Sequence, residues 1–340
     1  METCKTILDA MAPVLTWSTD SLPERERFDY WREERGRRLS GVTIELPPER
    51  RAAFQGEIAV QPVAGATLAE MRASAYVVSR TPADIARVAA NSLVISHQIA
   101  GPGWCETPAG RFDVKAGMMG VGYSEMPYSG IPSSQSDFHF RVLQIPLSGD
   151  ALLARRSQNL FRTPLATDQR YARLLAASFR ALVDNVSGLA GAEADHAVAD
   201  LAQLALLAAG AAGGGAPESR GAVRNAYLNA ARRLVRDNLH RPELSADLVA
   251  ARLGVSLRQV HLLFEPTGTS LHRTIMTQRV AEACRLLAAL PDRPVTAIAF
   301  ACGFESLATF YRTFKTITGT TPNDYRAALL TAEAEPAWRG

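Results

Sequence analysis

Apolar and polar positions in the first part of the chain follow the pattern of short β-strands. Between residues 40 and 150, brief apolar-rich runs are separated by turn residues, and no helical periodicity intervenes. The runs are GVTIEL, EIAVQPV, ATLAEM, SLVISHQIA, GRFDVKAG, MMGVGYSEM and FHFRVLQIPL. Many short strands with turn signals between them predict a small cupin-like β-barrel or jelly roll.

Helical patterns flank the predicted barrel. A charged amphipathic helix over residues 23–39 precedes it and is expected to pack on it through three apolar side chains, Phe28, Trp31 and Leu39. After the strands, apolar positions from Tyr171 to Val183 recur at helical spacing and form one stripe, and residues 197–209 are apolar nearly all round. Such helices must be buried, either against the barrel or against a second copy of the chain, and the pattern leaves both open.

A flexible segment follows these helices. Residues 210–221 read GAAGGGAPESRG, a composition typical of linkers. The sequence therefore predicts a domain over residues 1–209, a linker over 210–221 and a second domain over 222–330.

The second domain contains a duplicated pattern. In LSADLVAARLGVSLRQVHLLF, Gly254 follows Ala250 by four residues, and in PVTAIAFACGFESLATFYRTF, Gly303 follows Ala299 by four. A small alanine lets two helices cross closely, and a glycine adopts the turn conformation that a Cβ resists. Each copy therefore predicts a helix-turn-helix.

The segment between the two copies has the length that DNA binding requires. Residues 270–290 predict one helix of about 20 residues, hence about 30 Å long at 1.5 Å per residue. One turn of B-DNA advances about 34 Å. Two trailing helices so separated can enter successive major grooves.

The charge distribution agrees with a polyanionic partner for the second domain. From residue 216 onward the chain has 16 Lys and Arg against 11 Asp and Glu, a net charge of +5, while the remainder carries −2. Only the C-terminal part has the balance expected of a nucleic-acid-binding domain.

Residues 222–327 resemble a known family. LSADLVAARLGVSLRQVHLLF, GTSLHRTIMTQRVAEACRLL and PVTAIAFACGFESLATFYRTFKTITGTTPNDYR look like the C-terminal DNA-binding domain of AraC/XylS-type transcriptional regulators. The positions that match the family signature are Gly303, Phe304, Phe310, Arg312, Phe314, Lys315, Gly319, Pro322, Tyr325 and Arg326. The barrel is similar to the effector and dimerisation domain of these regulators. The resemblance implies an α+β fold, with a cupin-like barrel and flanking helices followed by an all-α domain of two helix-turn-helices joined by a long helix.

The resemblance also implies which side chains contact DNA. The family places base-reading residues on the outer faces of the trailing helices, here Arg258, Gln259, His261 and Leu262 in the first copy and Ser306, Ala308, Thr309 and Arg312 in the second. Tyr311 and Lys315 are better placed for phosphate. Glu265 and Pro266 follow the first trailing helix where a basic residue is common, so the first copy is expected to bind DNA more weakly than the second.

The resemblance implies a sequence-specific regulator of promoter DNA, more often an activator, that works with RNA polymerase as a homodimer. The barrel is then expected to bind a small-molecule effector near its turns, through His97, Trp104, Cys105, Tyr123 and Tyr128. The alternative is a ligand-independent regulator whose barrel serves only for oligomerisation. The sequence leaves both open.

Other classes of function are not indicated. The four cysteines are far apart and the six histidines show no metal-binding spacing, so neither a metal nor another cofactor is expected. No phosphate-binding or nucleophile motif points to an enzyme. No apolar stretch approaches eighteen residues and no secretory signal is evident, which predicts a cytoplasmic protein without a membrane partner.

Overall fold

The computed structural model describes residues 14–131, 137–166, 169–189 and 191–334. The chain divides into two compact units, Met1–Ala226 and Tyr227–Gly340, which we call the N-terminal and C-terminal units. Each unit is described by itself.

The N-terminal unit is built on two antiparallel sheets. In spatial order the first contains β1 (Leu15–Ser18), β3 (Gly56–Val63), β4 (Ala66–Ala73), β11 (Phe138–Pro146), β6 (Ser92–Ala100), β9 (Met119–Tyr123) and β12 (Thr163–Pro164). The second contains β2 (Thr43–Glu45), β5 (Val77–Arg80), β10 (Tyr128–Ile131), β7 (Gly103–Thr107) and β8 (Gly110–Val114). The seven predicted runs all contain strands.

Five strands lie outside the predicted runs, namely β1, β5, β7, β10 and β12. The most informative is β7, because its sequence lies in GPGWCETPAG, a segment of turn residues at both ends. Cys105 in β7 is buried, and the strand pairs with β8 on one side and β10 on the other. Its backbone hydrogen bonds come from these neighbours, which no local pattern reveals.

The predicted N-terminal helix forms, but only part of its apolar face is buried. Helix α1 (Glu24–Trp31) continues as a π-helical segment over Arg32–Ser40. Phe28 and Trp31 are each 1% exposed within a core that includes Phe54 and Phe138. Leu39 is 43% exposed, so the expectation that it packs on the barrel is wrong. The wider hydrogen-bond pattern of a π-helix shifts the side chains that follow Trp31 away from the face set by α1.

Further helices flank the sheets of the N-terminal unit. They are α2 (Pro48–Arg51), α3 (Pro82–Arg87), α4 (Ala151–Ser157), α5 (Arg170–Asn185) and α6 (Ala192–Ala208). The apolar stripe of α5 is buried within one chain, as Leu174, Phe179 and Leu182 show. The ring of Phe179 lies edge-on to His97 of β6, with 6.1 Å between centroids. The stripe is therefore covered within its own chain, by the neighbouring helix α6 and, at Phe179, by the barrel sheet.

The next helix begins inside the segment predicted as a linker. Helix α7 spans Pro217–Asp237, and the division between the two units falls after Ala226. Pro217 is compatible with a first helical turn because a helix needs no backbone N–H there. The domain limits drawn from the sequence stay predictions.

The C-terminal unit is all helical beyond α7. Its helices are α8 (Ala246–Leu253), α9 (Leu257–Phe264), α10 (Leu271–Ala289), α11 (Val295–Ala301), α12 (Leu307–Thr318) and α13 (Pro322–Ala334). The pairs α8–α9 and α11–α12 are the two helix-turn-helices, joined by α10. The predicted α+β class, with a cupin-like barrel before a helical domain, is confirmed.

Candidate nucleic-acid interface and effector cavity

Local sequence determines the first helix-turn-helix. Gly254 ends α8 in the left-handed conformation, with φ of 64°. Ser256 begins α9, and its hydroxyl accepts a hydrogen bond from the Gln259 N–H at 3.2 Å. The Gln259 side-chain oxygen accepts in return from the Ser256 N–H at 2.9 Å. The two hydrogen bonds together form a capping box at the start of α9.

The outer face of α9 presents the predicted contact residues. Val260 and Phe264 are buried on its inner face. All four predicted residues, Arg258, Gln259, His261 and Leu262, are exposed, as is Leu257 at the start of the helix. Leu262 is 49% exposed, so its position on the outer face is not explained by packing within the unit. The oxygen of Gln259 is held by its capping role, which competes with base reading.

The second helix-turn-helix repeats this arrangement. Gly303 adopts φ of 82° at the turn. Ser306 caps α12, where its hydroxyl accepts from the Thr309 N–H at 3.2 Å and lies 3.0 Å from the Thr309 hydroxyl. Phe310 and Phe314 are fully buried and fix the inner face of α12. Ser306 therefore serves mainly as the N-cap of α12, although its side chain is exposed to solvent.

Ala308, Arg312 and Lys315 share the exposed face of α12, at helical spacings of four and three residues. Among the residues that the structure describes, no carboxylate pairs with Arg312 or Lys315. Thr309 and Tyr311 are half-buried, and the Tyr311 ring packs edge-on to Phe310 with centroids 5.6 Å apart. The result is a cationic surface able to accept an anionic partner.

Arg279 is a residue of this unit that the sequence analysis missed. It lies in α10, is 4% exposed, and donates to the carbonyl of Leu239 at 3.1 Å and of Arg241 at 2.6 Å. Its guanidinium also lies 5.9 Å from the centre of the Phe304 ring. A charged residue on the same helical face as Ile275 and other buried side chains was the signal that could have revealed it.

The barrel of the N-terminal unit contains a partly open cavity of about 170 Å³ between its two sheets. Four of the five predicted effector residues line it, namely Trp104, Cys105, Tyr123 and Tyr128. Trp104 is stacked by Arg111, whose guanidinium carbon lies 4.1 Å from the ring centre. Burial raises the pKa of the Cys105 thiol, which keeps it protonated at neutral pH. The structure thus brings most of the predicted residues to one cavity.

His97 is not part of the cavity lining, which corrects its predicted place. Residues on a strand alternate between faces, and Val94, Ser96 and Gln98 of β6 face the cavity. His97 therefore points to the opposite face, against Phe179 of α5. Burial, assisted by nearby arginines, lowers the pKa of His97 below its ordinary value. Its role is packing between sheet and helix.

Three arginines belong to the cavity wall and were not predicted. They are Arg35 of the π-helical segment, Arg80 of β5 and Arg162, which precedes β12. Because they lie far apart in sequence, no spacing could group them. Arg80 also lies 3.5 Å from the carboxylate of Glu125.

The described parts of the chain contain neither a cluster of metal ligands nor a membrane-spanning helix. No group of three or more His, Cys, Asp or Glu is arranged to hold a metal ion. No described helix combines the length and hydropathy needed to span a membrane.

Two protein-family models match the chain. A model of an AraC-binding-like domain matches residues 31–209, more than half of the chain, and a helix-turn-helix domain model matches residues 249–328. The transcriptional activator NphR of Rhodococcus sp is 32% identical over 103 residues, which are 30% of this chain and 30% of NphR. The multiple antibiotic resistance protein MarA of Escherichia coli (strain K12) is 33% identical over 101 residues, 29% of this chain and 78% of MarA. The crystal structure of the AraC-like transcriptional activator CuxR matches 85% of this chain and all of that chain, with 18% identity and a TM-score of 0.48.

Proposed function

This chain belongs to the AraC-like family of DNA-binding transcription regulators, and from that membership we propose that it is an effector-responsive activator of specific promoters. The match to NphR covers less than a third of either protein, so the activator role is our proposal for this chain. The relatives named above are transcription regulators and resistance proteins, and the proposal assigns no catalytic step.

The observation that supports DNA binding is the pair of outward-facing trailing helices in one unit. Helices α9 and α12 each present polar or cationic side chains on the face opposite their buried aromatic residues. Between them α10 has 19 residues, hence a length of about 28 Å. This spacing suits two successive major grooves, which recur about every 34 Å.

The proposed contacts follow from the chemistry of the exposed side chains. Arg312 and Arg258 suit guanine, whose O6 and N7 accept a forked pair of hydrogen bonds. Lys315 and Tyr311 suit phosphate oxygens. In the first copy, Glu265 follows α9 and is exposed, so it repels phosphate. We therefore assign most of the sequence-specific binding energy to the second copy.

The cavity favours an effector-binding barrel over a barrel that serves only for oligomerisation. A barrel that only oligomerises requires no interior space, whereas about 170 Å³ lined by aromatic and polar groups is the form of a small-molecule site. Contact with RNA polymerase follows from the activator role. Homodimerisation stays a prediction without an assigned surface, because the stripe of α5 is already buried within one chain.

Retardation of DNA fragments by the full chain tests the proposal. Fragments upstream of its own and neighbouring genes should be bound, and the affinity should fall steeply between about 50 and 200 mM salt, as expected when several phosphates are neutralised. A scrambled fragment of equal length is the control. A promoter-fused reporter then measures activation. Failure to bind any upstream fragment more tightly than the scrambled one, at low salt, would overturn the assignment.

A further inference from the structure

The three arginines on the cavity wall differ in how far their hydrogen-bond donors are used. Arg80 is saturated by the protein: its Nε donates to the Ser124 carbonyl at 2.7 Å, and its two terminal nitrogens donate to the Gly41 carbonyl at 2.6 Å and the Val88 carbonyl at 2.7 Å. Arg80 therefore holds loops of the barrel together and has little capacity left for a ligand.

Arg35 has unused capacity. Its Nε is placed 3.1 Å from the sulfur of Met71, a weak acceptor. Its Nη1 is buried, and no acceptor lies within hydrogen-bond distance among the residues that the structure describes. Buried N–H groups are nearly always paired, and a charged donor without a partner is more costly than a neutral one. Arg35 borders this cavity and also a neighbouring pocket lined by Trp31 and Leu39, so a molecule in the barrel cavity lies close enough to the guanidinium to supply an acceptor.

Arg162 is the second cation with unused capacity. Its guanidinium carbon lies 4.8 Å from the centre of the Tyr128 ring, and within the described residues no carboxylate pairs with it. Stacking on an aromatic face leaves the N–H edge of a guanidinium free to donate. Arg162 thus adds a second positive charge to the lining of the same cavity.

Among the described residues of the lining there is no aspartate or glutamate that would neutralise Arg35 or Arg162. Two polar side chains of the lining are already paired within the protein: the Tyr123 hydroxyl donates to Asn91 at 3.0 Å, and the Gln98 amide donates to the Gly101 carbonyl at 2.7 Å. The other surfaces are largely apolar and include Val94, Phe140 and Val142.

The size of the cavity limits its occupant. Cavities of about 150 Å³ hold one benzene-sized molecule. At about 170 Å³ this cavity has room for one small ring or a short acyl chain with a single polar group.

We propose that the cavity is a site for a small organic carboxylate, whose acid group pairs with Arg35 while its apolar body packs between the two sheets. Arg162 strengthens the preference for an anion. This inference rests on the proposed function, since it names the chemical class of effector for that barrel. Arginine is suited to this role because its planar fork matches the two oxygens of a carboxylate.

Shape-matched probes that differ in charge test the proposal on the full chain. The probes are benzoate, benzamide and benzylammonium, with hexanoate and hexanamide as a second shape and inorganic phosphate as an anion without an apolar body. At least one carboxylate should raise the thermal midpoint and bind at least tenfold more tightly than its amide, while benzylammonium and phosphate should not bind. Equal binding of each acid and its amide, binding of phosphate alone, or no binding of either carboxylate would overturn the proposal.

Variants assign the preference to its residues. In Arg35→Gln the ratio of acid to amide affinity should fall to near one, and Arg35→Lys should retain part of it. Arg162→Gln should lower the ratio to a smaller extent. Arg173→Gln, on the exposed face of α5, is the matched control and should leave it unchanged. Because the measured quantity is a ratio of two affinities within one protein, reduced stability alone does not change that ratio. If Arg35→Gln does not fold, Arg35→Lys and Arg162→Gln provide the test. An unchanged ratio in the Arg35 variants would overturn the assignment.

Fragment retardation on the same preparations separates this inference from the proposed function. DNA binding without any probe binding overturns the carboxylate site alone. Probe binding without DNA binding overturns the regulator assignment and leaves the site standing.

Discussion

The guanidinium of Arg279 lies 3.0 Å from the point where a Cβ on Gly303 would stand. The same point is 2.5 Å from the carbonyl oxygen of Leu239, which Arg279 itself binds. At the corresponding turn of the first copy, Gly254 has no atom within 4 Å of such a Cβ. The two turns share a left-handed conformation, but only the second is enclosed by the rest of the unit.

This difference predicts unequal effects of alanine at the two glycines. Gly254→Ala should cost about 1–2 kcal/mol of unfolding free energy, the penalty of a left-handed alanine. Gly303→Ala carries the same penalty and must also displace the Leu239 carbonyl, so it should cost at least about 1 kcal/mol more. Denaturant unfolding of the full chain, followed in the C-terminal unit, measures both. Equal losses would show that the enclosure of Gly303 contributes nothing.

Replacing Arg279 tests how much its own contacts around Gly303 stabilise the C-terminal unit. Arg279→Met keeps most of the side-chain volume but removes the hydrogen bonds to Leu239 and Arg241. The free energy of unfolding should fall by about 1.5–3 kcal/mol, the range for hydrogen bonds to charged groups. Arg273→Met, on an exposed position of the same helix, should change it by less than about 0.5 kcal/mol. Comparable losses in both variants would contradict the structural role of Arg279.

The exposed face of α12 predicts two kinds of DNA-binding defect. Arg312→Ala should cost about 1–3 kcal/mol of binding free energy and relax the preference at one base pair. Lys315→Ala should weaken binding to all sequences alike and reduce the dependence on salt. Titration of both variants against a set of single-base operator changes distinguishes them. Identical behaviour across that set would mean that the two roles are wrongly assigned.

Trp104 of β7 lines the cavity whereas His97 of β6 faces away from it, so replacing these two residues should have different outcomes. Trp104→Ala removes a wall of the cavity and should weaken benzoate or hexanoate binding at least tenfold. His97→Ala lies on the other face of the sheet and should leave that binding within twofold, while costing about 1 kcal/mol of stability through lost contact with Phe179. Calorimetric titration with thermal unfolding measures both effects. Loss of binding in the His97 variant alone would place the site elsewhere.

Glu125 predicts a pH-dependent contribution to the stability of the barrel. Burial by itself raises the pKa of this carboxyl, but hydrogen bonds from the Ser124 hydroxyl and from the N–H groups of Asn91 and Ala90 hold it below the ordinary 4.5. Because the pKa is lowered in the folded state, the stabilisation is present above pH 4.5 and is lost as the pH falls through the folded-state pKa. Glu125→Gln should therefore cost about 1–2 kcal/mol at pH 7 and progressively less in acid.

Unfolding experiments between pH 3 and pH 7 check the sign of this effect. Glu106→Gln, an exposed carboxyl in β7, is the matched control and should show no such trend. A cost for Glu125→Gln that grows as the pH falls would refute the role assigned to its hydrogen bonds.

Much of the C-terminal unit follows from local sequence. The turn glycines, the Ser256–Gln259 capping box and the buried pair Phe310 and Phe314 all involve residues a few positions apart, so their spacing alone predicts helices and turns. The exposed faces of α9 and α12 follow in turn, because a helix with a known inner face has a known outer one. The family resemblance could be recognised for the same reason.

Tertiary structure decided both the cavity and the packing of Arg279 and the Leu239 carbonyl around Gly303. Arg35, Arg80 and Arg162 line one cavity because two sheets face each other, and strand pairing joins residues that have no common spacing. Which face His97 takes depends on the register of β6, and a shift of one residue would reverse it. Arg279 reaches Leu239 across 40 positions of sequence. The sequence alone determined what short-range hydrogen bonds and periodicity control, while contacts between distant segments, whose energies depend on the packed geometry, required the fold itself.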